Sequence, residues 1–197
     1  MQTNKSDILK RAFDKLVPLS EVEWAAMESC LKERSFKKGS FLCQQGNVEK
    51  YLSIITSGTC RGFYNKDGEE ISVTFMFSKD YVSAYYSFLT NRPSLLAIQA
   101  LTPVHVISIS KIDLDYLCAT YKNAERIGRL NAERIYRRKE EREISLLTMS
   151  ATERYKELLN RNPKLLQQIP LKYIASYLGI QPASLSRIRK QIQGLKD

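Results

Sequence analysis

The chain has 197 residues, 43% hydrophobic and 26% charged, an ordinary globular balance with enough material for one large domain or two small ones. No apolar run approaches the roughly 20 residues needed to cross a bilayer, and MQTNKSDILKRAF lacks the apolar stretch and cleavage site of a secretory signal, so a cytoplasmic protein with no membrane partner is expected. The formal charge of +10 is uneven, because residues 1–110 hold 13 Lys and Arg against 11 Asp and Glu, whereas residues 111–197 hold 18 against 10.

The first helical signal is Ser20 with Glu23, a capping box ahead of Trp24, Met27 and Leu31 at helical spacing. Over residues 37–110 the character changes. Turn signals recur about every 10 residues, at Gly39, Gly46, Gly58, Gly68, Asp80, Pro93 and Pro103, and between them run the strand-like pieces YLSIIT, TCRGFY, EISVTFMF, LLAIQAL and VHVISI. That spacing argues an antiparallel roll, barrel or sandwich rather than βαβ units. Asn65-Lys66-Asp67-Gly68 is the clearest hairpin turn, and AYYSFL at residues 84–89 is the one helical interruption.

From Lys111 the pattern turns helical. Ala124, Ile127, Leu130 and Ile135 form an apolar seam fit for dimerisation, although a single packed helix would read similarly, and YRRKEERE at residues 136–143 interrupts the apolar pattern. Ser150 and Glu153 form a second capping box.

Residues 169–192 spell a helix-turn-helix. Leu171, Ile174, Ala175 and Leu178 make one apolar face, Gly179 ends that helix, and Pro182 opens the next, whose Leu185, Ile188 and Ile192 face inward. Lys172, Pro182, Ala183, Ser184, Ser186, Arg187, Arg189 and Lys190 are left for double-stranded DNA, with hydroxyls and guanidinium groups suited to phosphates and base edges. After Glu157 the only acid is Asp197, against the cations Arg161, Lys164, Lys172, Arg187, Arg189, Lys190 and Lys196, a concentration that suits a polyanion.

Catalysis and metal binding are not expected. Cys30, Cys43, Cys60 and Cys118 are dispersed, without a C-x-x-C pair, and read as reduced, mostly buried thiols. The single histidine, His105, lies in the strand-like VHVISI, and no G-x-S-x-G or phosphate-binding loop occurs. No metal, haem or iron–sulfur site is indicated.

The order of these parts resembles the Crp/Fnr superfamily of bacterial transcription regulators. SFKKGSFLCQQGN is similar to the opening f-x-x-G-x-x-l-x-x-x-G of that family's roll, YLSIITSGTCRGFY to its y-x-I-x-x-G-x-x-x-x-y, and NKDGEEISVTFM to its hairpin. SATERYKELL is similar to the S-A-x-x-R-x-x-x-x-L segment that opens the DNA-binding domain, and IASYLGIQPASLSRIRK to the turn and recognition helix. The resemblance implies an α+β protein: an N-terminal antiparallel β-roll (a double-stranded β-helix of the cyclic-nucleotide-binding type) over residues 1–110, a long dimerisation helix and linker over 111–148, and a helix-turn-helix domain over 149–197. It implies a homodimer that works with RNA polymerase.

The same resemblance implies an effector site around the short helix, but the charged anchors of cyclic-nucleotide binders are missing. Ser83 stands at the expected glycine, Ala84 at the glutamate, Ser94 at the arginine, and Leu96 with Ala97 near the hydroxyl; Arg92 is two residues away. Cyclic AMP is therefore not expected to bind, since a buried anion without a cation is strongly disfavoured. Tyr81, Tyr85, Tyr86, Leu95 and Leu96 either line a pocket for a less charged effector or fill the roll. Ala183 replaces the charged reader of many relatives, which shifts base readout to Ser186 and Arg187, and the stretch from Gln193 to Asp197 is too short for a wing hairpin. The competing reading is a ligand-sensing or protein-interaction module whose basic tail is incidental.

Overall fold

The computed structural model describes Lys10, Phe13, Asp14, residues 16–161, Pro163 and residues 168–193, with backbone alone at Arg161 and Gln193. Lys164, Lys196 and residues 194–197 of the stretch expected to be too short for a wing lie outside the described residues. Helix α1 (Glu21–Ser29) opens with the expected capping box: the Glu23 amide donates to Ser20 Oγ, and the Ser20 amide donates to Glu23 Oε2 at 2.9 Å.

Eight strands follow in two antiparallel sheets. They are β1 (Lys32–Phe36), β2 (Phe41–Cys43), β3 (Tyr51–Ser57), β4 (Cys60–Lys66), β5 (Glu69–Met76), β6 (Tyr81–Val82), β7 (Leu96–Ala100) and β8 (Val104–Ser110). One sheet has the order β1-β8-β3-β6 and the other β2-β7-β4-β5, so, apart from the β4–β5 hairpin, successive strands alternate between sheets and the chain rolls up around them. Ile55, Cys60, Ile98, Ala100, Val104 and Val106 fill the space between the sheets. Lys66 pairs with Glu69 across a two-residue turn in which both Asp67 and Gly68 have positive φ, the hairpin expected there. Strands β1, β2 and β6 were not expected: the first reads KERSF and is mostly exposed, and the other two are three and two residues long.

Short helix α2 (Tyr85–Thr90) interrupts the strands, and after β8 come α3 (Lys111–Thr120), α4 (Lys122–Thr148), α5 (Ala151–Arg161), α6 (Leu171–Leu178) and α7 (Pro182–Gln193). The helical break lies at Tyr121, which is extended at φ −123° and ψ 118°, and not in residues 136–143. That polar run stays helical because most of its side chains are solvated on a helix whose other face is held by the rest of the molecule. Arg138 pairs with Asp80 at 3.0 Å, and Arg142 donates to the Tyr177 carbonyl at 2.9 Å.

Part of the seam expected to meet a second copy packs within the chain itself. Ala124 and Ile127 are buried in one cluster with Trp24, Leu52, Phe88 and Leu117, with Leu130 packed against it, while Ile135 faces a cleft described below. The reason is register: with the break at Tyr121, the first turns of α4 lie across the roll and must cover its apolar outer face. The outward face of α4 instead exposes Tyr136, Ile144 and Leu147.

Gly58 turns the chain between β3 and β4 at φ +97°, and a Cβ there would lie 2.3 Å from the Pro103 carbonyl oxygen. Both the backbone conformation and the contact exclude a side chain. Gly58→Ala is expected to cost about 2 kcal/mol or more and to lower the midpoint of thermal unfolding followed by circular dichroism.

Candidate nucleic-acid interface and effector cleft

The helix pair forms as its sequence dictates. Ile174, Ala175 and Leu178 of α6 are fully buried, and Gly179 ends the helix in the left-handed region at φ +70°, its amide bonded back to Ser176 and Ala175 carbonyls. Ile180 donates to the Ala175 carbonyl at 3.0 Å and packs into the same core as Leu185, Ile188 and Ile192. Arg154 of α5 donates to the carbonyls of Met149 and Leu178, tying α5 to the end of α6, and the Ser150–Glu153 capping box opens α5 with a 2.7 Å bond from the Ser150 amide.

On α7 the structure exposes Pro182, Ala183, Ser186, Arg187 and Lys190, five residues on one stripe, and Lys172 is exposed on α6. The stripe carries two cations and a hydroxyl, although Ser186 Oγ also bonds to the Pro182 carbonyl at 3.1 Å. Two sequence candidates fall off it. Ser184 is half-buried, and Arg189 turns inward against the buried Tyr155, its Nε buried without a hydrogen-bond partner among the described residues. Position explains this: Arg189 follows Leu185 by four and Ile188 by one, which places it at the margin of the apolar face.

The helix pair is docked on the roll, and sequence reasoning missed the residues that dock it. Strand β5 is the edge of its sheet, so its outward amides and carbonyls lack a strand partner. Ser176 supplies one: the Ser72 amide donates to Ser176 Oγ at 2.9 Å, and Ser176 Oγ donates to the Glu70 carbonyl at 3.0 Å. Beside this bridge lies Arg61, wholly buried on β4. Its guanidinium sits 3.6 Å from the centre of the Tyr173 ring and 4.0 Å from that of Phe63, and its Nη2 reaches Glu70 at 2.7 Å and Gln99 at 3.1 Å. Tyr177 packs on Phe75 with ring centres 5.2 Å apart, and Arg142 lies over its ring at 3.9 Å. A buried cation in a glycine-and-aromatic strand, R-G-F-Y, was the signal available in sequence.

Between the roll, α4 and the helix pair lies a cleft of about 620 Å³. Of the effector candidates, Tyr81, Ser83, Ala84, Tyr85, Tyr86, Ser94, Leu95 and Leu96 line it, whereas Ala97 does not; it is buried in β7, paired with Phe63 of β4. The second alternation position explains Ala97, since neighbouring strand residues point to opposite faces. Ser94 is buried and closes its own turn, accepting from the Leu96 amide and donating to the Leu96 carbonyl, and Ser83 Oγ donates to the Tyr51 carbonyl. Beneath the short helix is a buried carboxylate, Glu49, which accepts from the Tyr51 amide at 3.0 Å and the Ala84 amide at 3.3 Å. Burial pushes its pKa up, against the lowering effect of those two amides and of Arg34. Burial also pushes the Cys43 and Cys60 thiols up to about 12, so neither is a reactive thiolate near neutral pH.

Residues 33–121 match the family of cyclic nucleotide-binding domains. The fold is shared with FixK2 of Bradyrhizobium japonicum, at 18% identity and a TM-score of 0.75 over 84% of this chain and 86% of that one. It is also shared with CLP of Xanthomonas campestris, a c-di-GMP responsive global regulator, at 16% identity and a TM-score of 0.69 over 89% and 92% of the two chains. The catabolite activator protein of Thermus thermophilus aligns at 19% identity and a TM-score of 0.54 over 92% and 87%. No curated protein matches the chain in sequence.

The raised pKa of Glu49 has a sign. Native chains retain a proton that unfolded chains release as pH climbs from the ordinary carboxylate range to the raised folded value, so stability falls across that interval. Glu49→Gln keeps an acceptor for the amides and removes the titration. The difference in unfolding free energy between wild type and variant, measured by urea denaturation, is expected to shift against the wild type as pH rises through that interval and to level off above it.

Proposed function

On the premise that this chain has the Crp/Fnr fold, with a cyclic nucleotide-binding-type domain over residues 33–121, we propose that it is a homodimeric transcription regulator that reads double-stranded DNA through α7. The observation that carries the reading is the exposed stripe of Pro182, Ala183, Ser186, Arg187 and Lys190, presented by a helix whose opposite face is fixed by Leu185 and Ile188. Arg187 is placed for bidentate contact with guanine, a contact that contributes about 1–3 kcal/mol of discrimination, and Ser186 assists it. Lys172 and Lys190 take phosphates. Ser184 and Arg189 shape the helix from behind rather than touching bases.

In this reading residues 1–110 sense, residues 111–148 dimerise and link, and residues 149–197 bind DNA. Dimerisation uses the outward face of α4, around Tyr136, Ile144 and Leu147, since Ala124, Ile127 and Leu130 are occupied within the chain. A two-fold dimer reads half-sites about one helical turn apart. The protein works in the cytoplasm with RNA polymerase and carries out no catalysis.

Cyclic AMP is not the effector. No cation stands at Ser94 or Ala84, and the Ala84 amide is already bonded to the Glu49 side chain, so a phosphate there would lack both a cation and that donor. A different small molecule takes the cleft.

Fluorescence anisotropy with a selected operator and with random duplex, at several salt concentrations, tests the DNA reading. Wild type is expected to show a steep salt slope and to prefer the operator. Arg187→Ala should remove most of that preference, and Lys190→Ala should weaken binding to both duplexes alike and flatten the slope by about one. A salt-independent or absent signal from the wild type rejects the reading. Calorimetric titration of cyclic AMP is expected to give no saturable heat, and a micromolar or tighter isotherm contradicts the argument from the missing anchors.

A further inference from the structure

The cleft between roll, α4 and helix pair has walls of two kinds. On the roll side are Phe75, Tyr81, Tyr85, Leu95 and Leu96; on the other are Arg142 of α4 and Arg154 of α5, beside Leu158 and Tyr177. Its volume of about 620 Å³ falls in the range that encloses a small organic molecule, roughly 300–1,000 Å³. Its lining carries Arg138, Lys139, Arg142 and Arg154 against Asp80, Glu141 and Glu157. Asp80 is taken by Arg138 at 3.0 Å, and Glu141 and Glu157 are engaged as well. Arg142 and Arg154, by contrast, donate to neutral carbonyl oxygens, at Tyr177 and Leu178 respectively, each at 2.9 Å. A carboxylate competes better than a carbonyl for such donors, and Arg154 Nε is buried with no hydrogen-bond partner among the described residues.

We propose that this cleft binds an organic acid with an apolar body, whose carboxylate draws Arg142 and Arg154 away from the carbonyls that end α6. The apolar part covers the aromatic wall of the roll. Hydrogen bonds from a guanidinium to a carboxylate are about twice as strong as those to a neutral acceptor, so the ligand wins the donors once it is within reach. The consequence follows from where those carbonyls are. Tyr177 and Leu178 form the last turn of the helix that Ser176 pins to strand β5, so loss of both arginine bonds loosens the helix pair from the roll. The effect on DNA rests on the regulator reading; the binding itself does not.

The test uses the full chain, with decanoate and decan-1-ol as probes in calorimetry. Decanoate is expected to bind saturably at one per chain, and the alcohol roughly tenfold more weakly, the difference of a charge-assisted contact. Arg142→Gln should weaken decanoate roughly tenfold. Leu95→Glu, a change at a 67% exposed position at the cleft, should do so by repulsion without touching the core or the melting midpoint. Equal binding of acid and alcohol, indifference to both substitutions, or no binding of decanoate overturns the site. Amide hydrogen exchange at Ser72, protected here by Ser176, should speed up on saturation with decanoate; unchanged protection overturns the release of α6. A parallel DNA titration separates the two ideas, because decanoate binding by a chain that ignores DNA sinks the regulator reading and leaves the site standing, and the reverse result sinks the site alone.

Discussion

Arg61 is the constraint on which the placement of the helix pair depends. A guanidinium with no exposed surface forfeits several kcal/mol of hydration unless its surroundings compensate. Here one hydrogen-bonding nitrogen meets Glu70 and Gln99, while Nε and Nη1 have no partner among the described residues. Compensation must come from elsewhere. It comes from two ring faces, and a desolvated cation over an aromatic ring contributes up to about 2 kcal/mol. Phe63 belongs to the same strand, but Tyr173 belongs to α6. Only when the helix pair is docked is the cation enclosed, so roll and helix pair are coupled through one side chain. The acid it pairs with remains 41% exposed, which spares the cost of drying a second charge.

The edge of β5 makes the same point by a different interaction. A free strand edge presents amides and carbonyls to any comer, and natural sheets blunt such edges. In this chain a single hydroxyl, Ser176, accepts from one residue of the strand and donates to another two places before it, as a neighbouring strand would. Phe75 and Tyr177 then close the contact with apolar area. Docking therefore satisfies a polar edge, encloses a cation and covers a ring together. Loosening any one of the three exposes the others, so a small change at this contact is felt by the whole helix pair.

Much of this was legible in the sequence wherever a rule acts locally. The capping boxes at Ser20 and Ser150, the hairpin at Asp67 and Gly68, and the αL end at Gly179 depend on residues within a turn of each other, and the structure has each of them. Strands with apolar, β-branched runs were visible, whereas KERSF was not, because an exposed edge strand has no buried face to leave a pattern. What covers the α4 seam was not legible for a related reason. Ala124, Ile127 and Leu130 show that a helix face is buried, but periodicity says nothing about whether the cover is a second chain or the same one. Long-range pairs such as Arg61 with Tyr173 and Ser72 with Ser176 leave no spacing at all, since the roll brings together residues more than a hundred apart in sequence.

The cassette around the short helix shows how a site keeps its shape while its chemistry is replaced. Ser83 and Ser94 keep the turns closed by bonding to the Tyr51 and Leu96 carbonyls, so the helix is held without any ligand. Glu49 takes the amide at the helix start, so the donor an anionic ligand would need there is already engaged. The inner end therefore offers an anion no free amide from Ala84. At the outer end Arg142 and Arg154 line the cleft and donate to the Tyr177 and Leu178 carbonyls. In the proposed binding mode an organic acid places its apolar body inward and its charge outward, beside the last turn of α6.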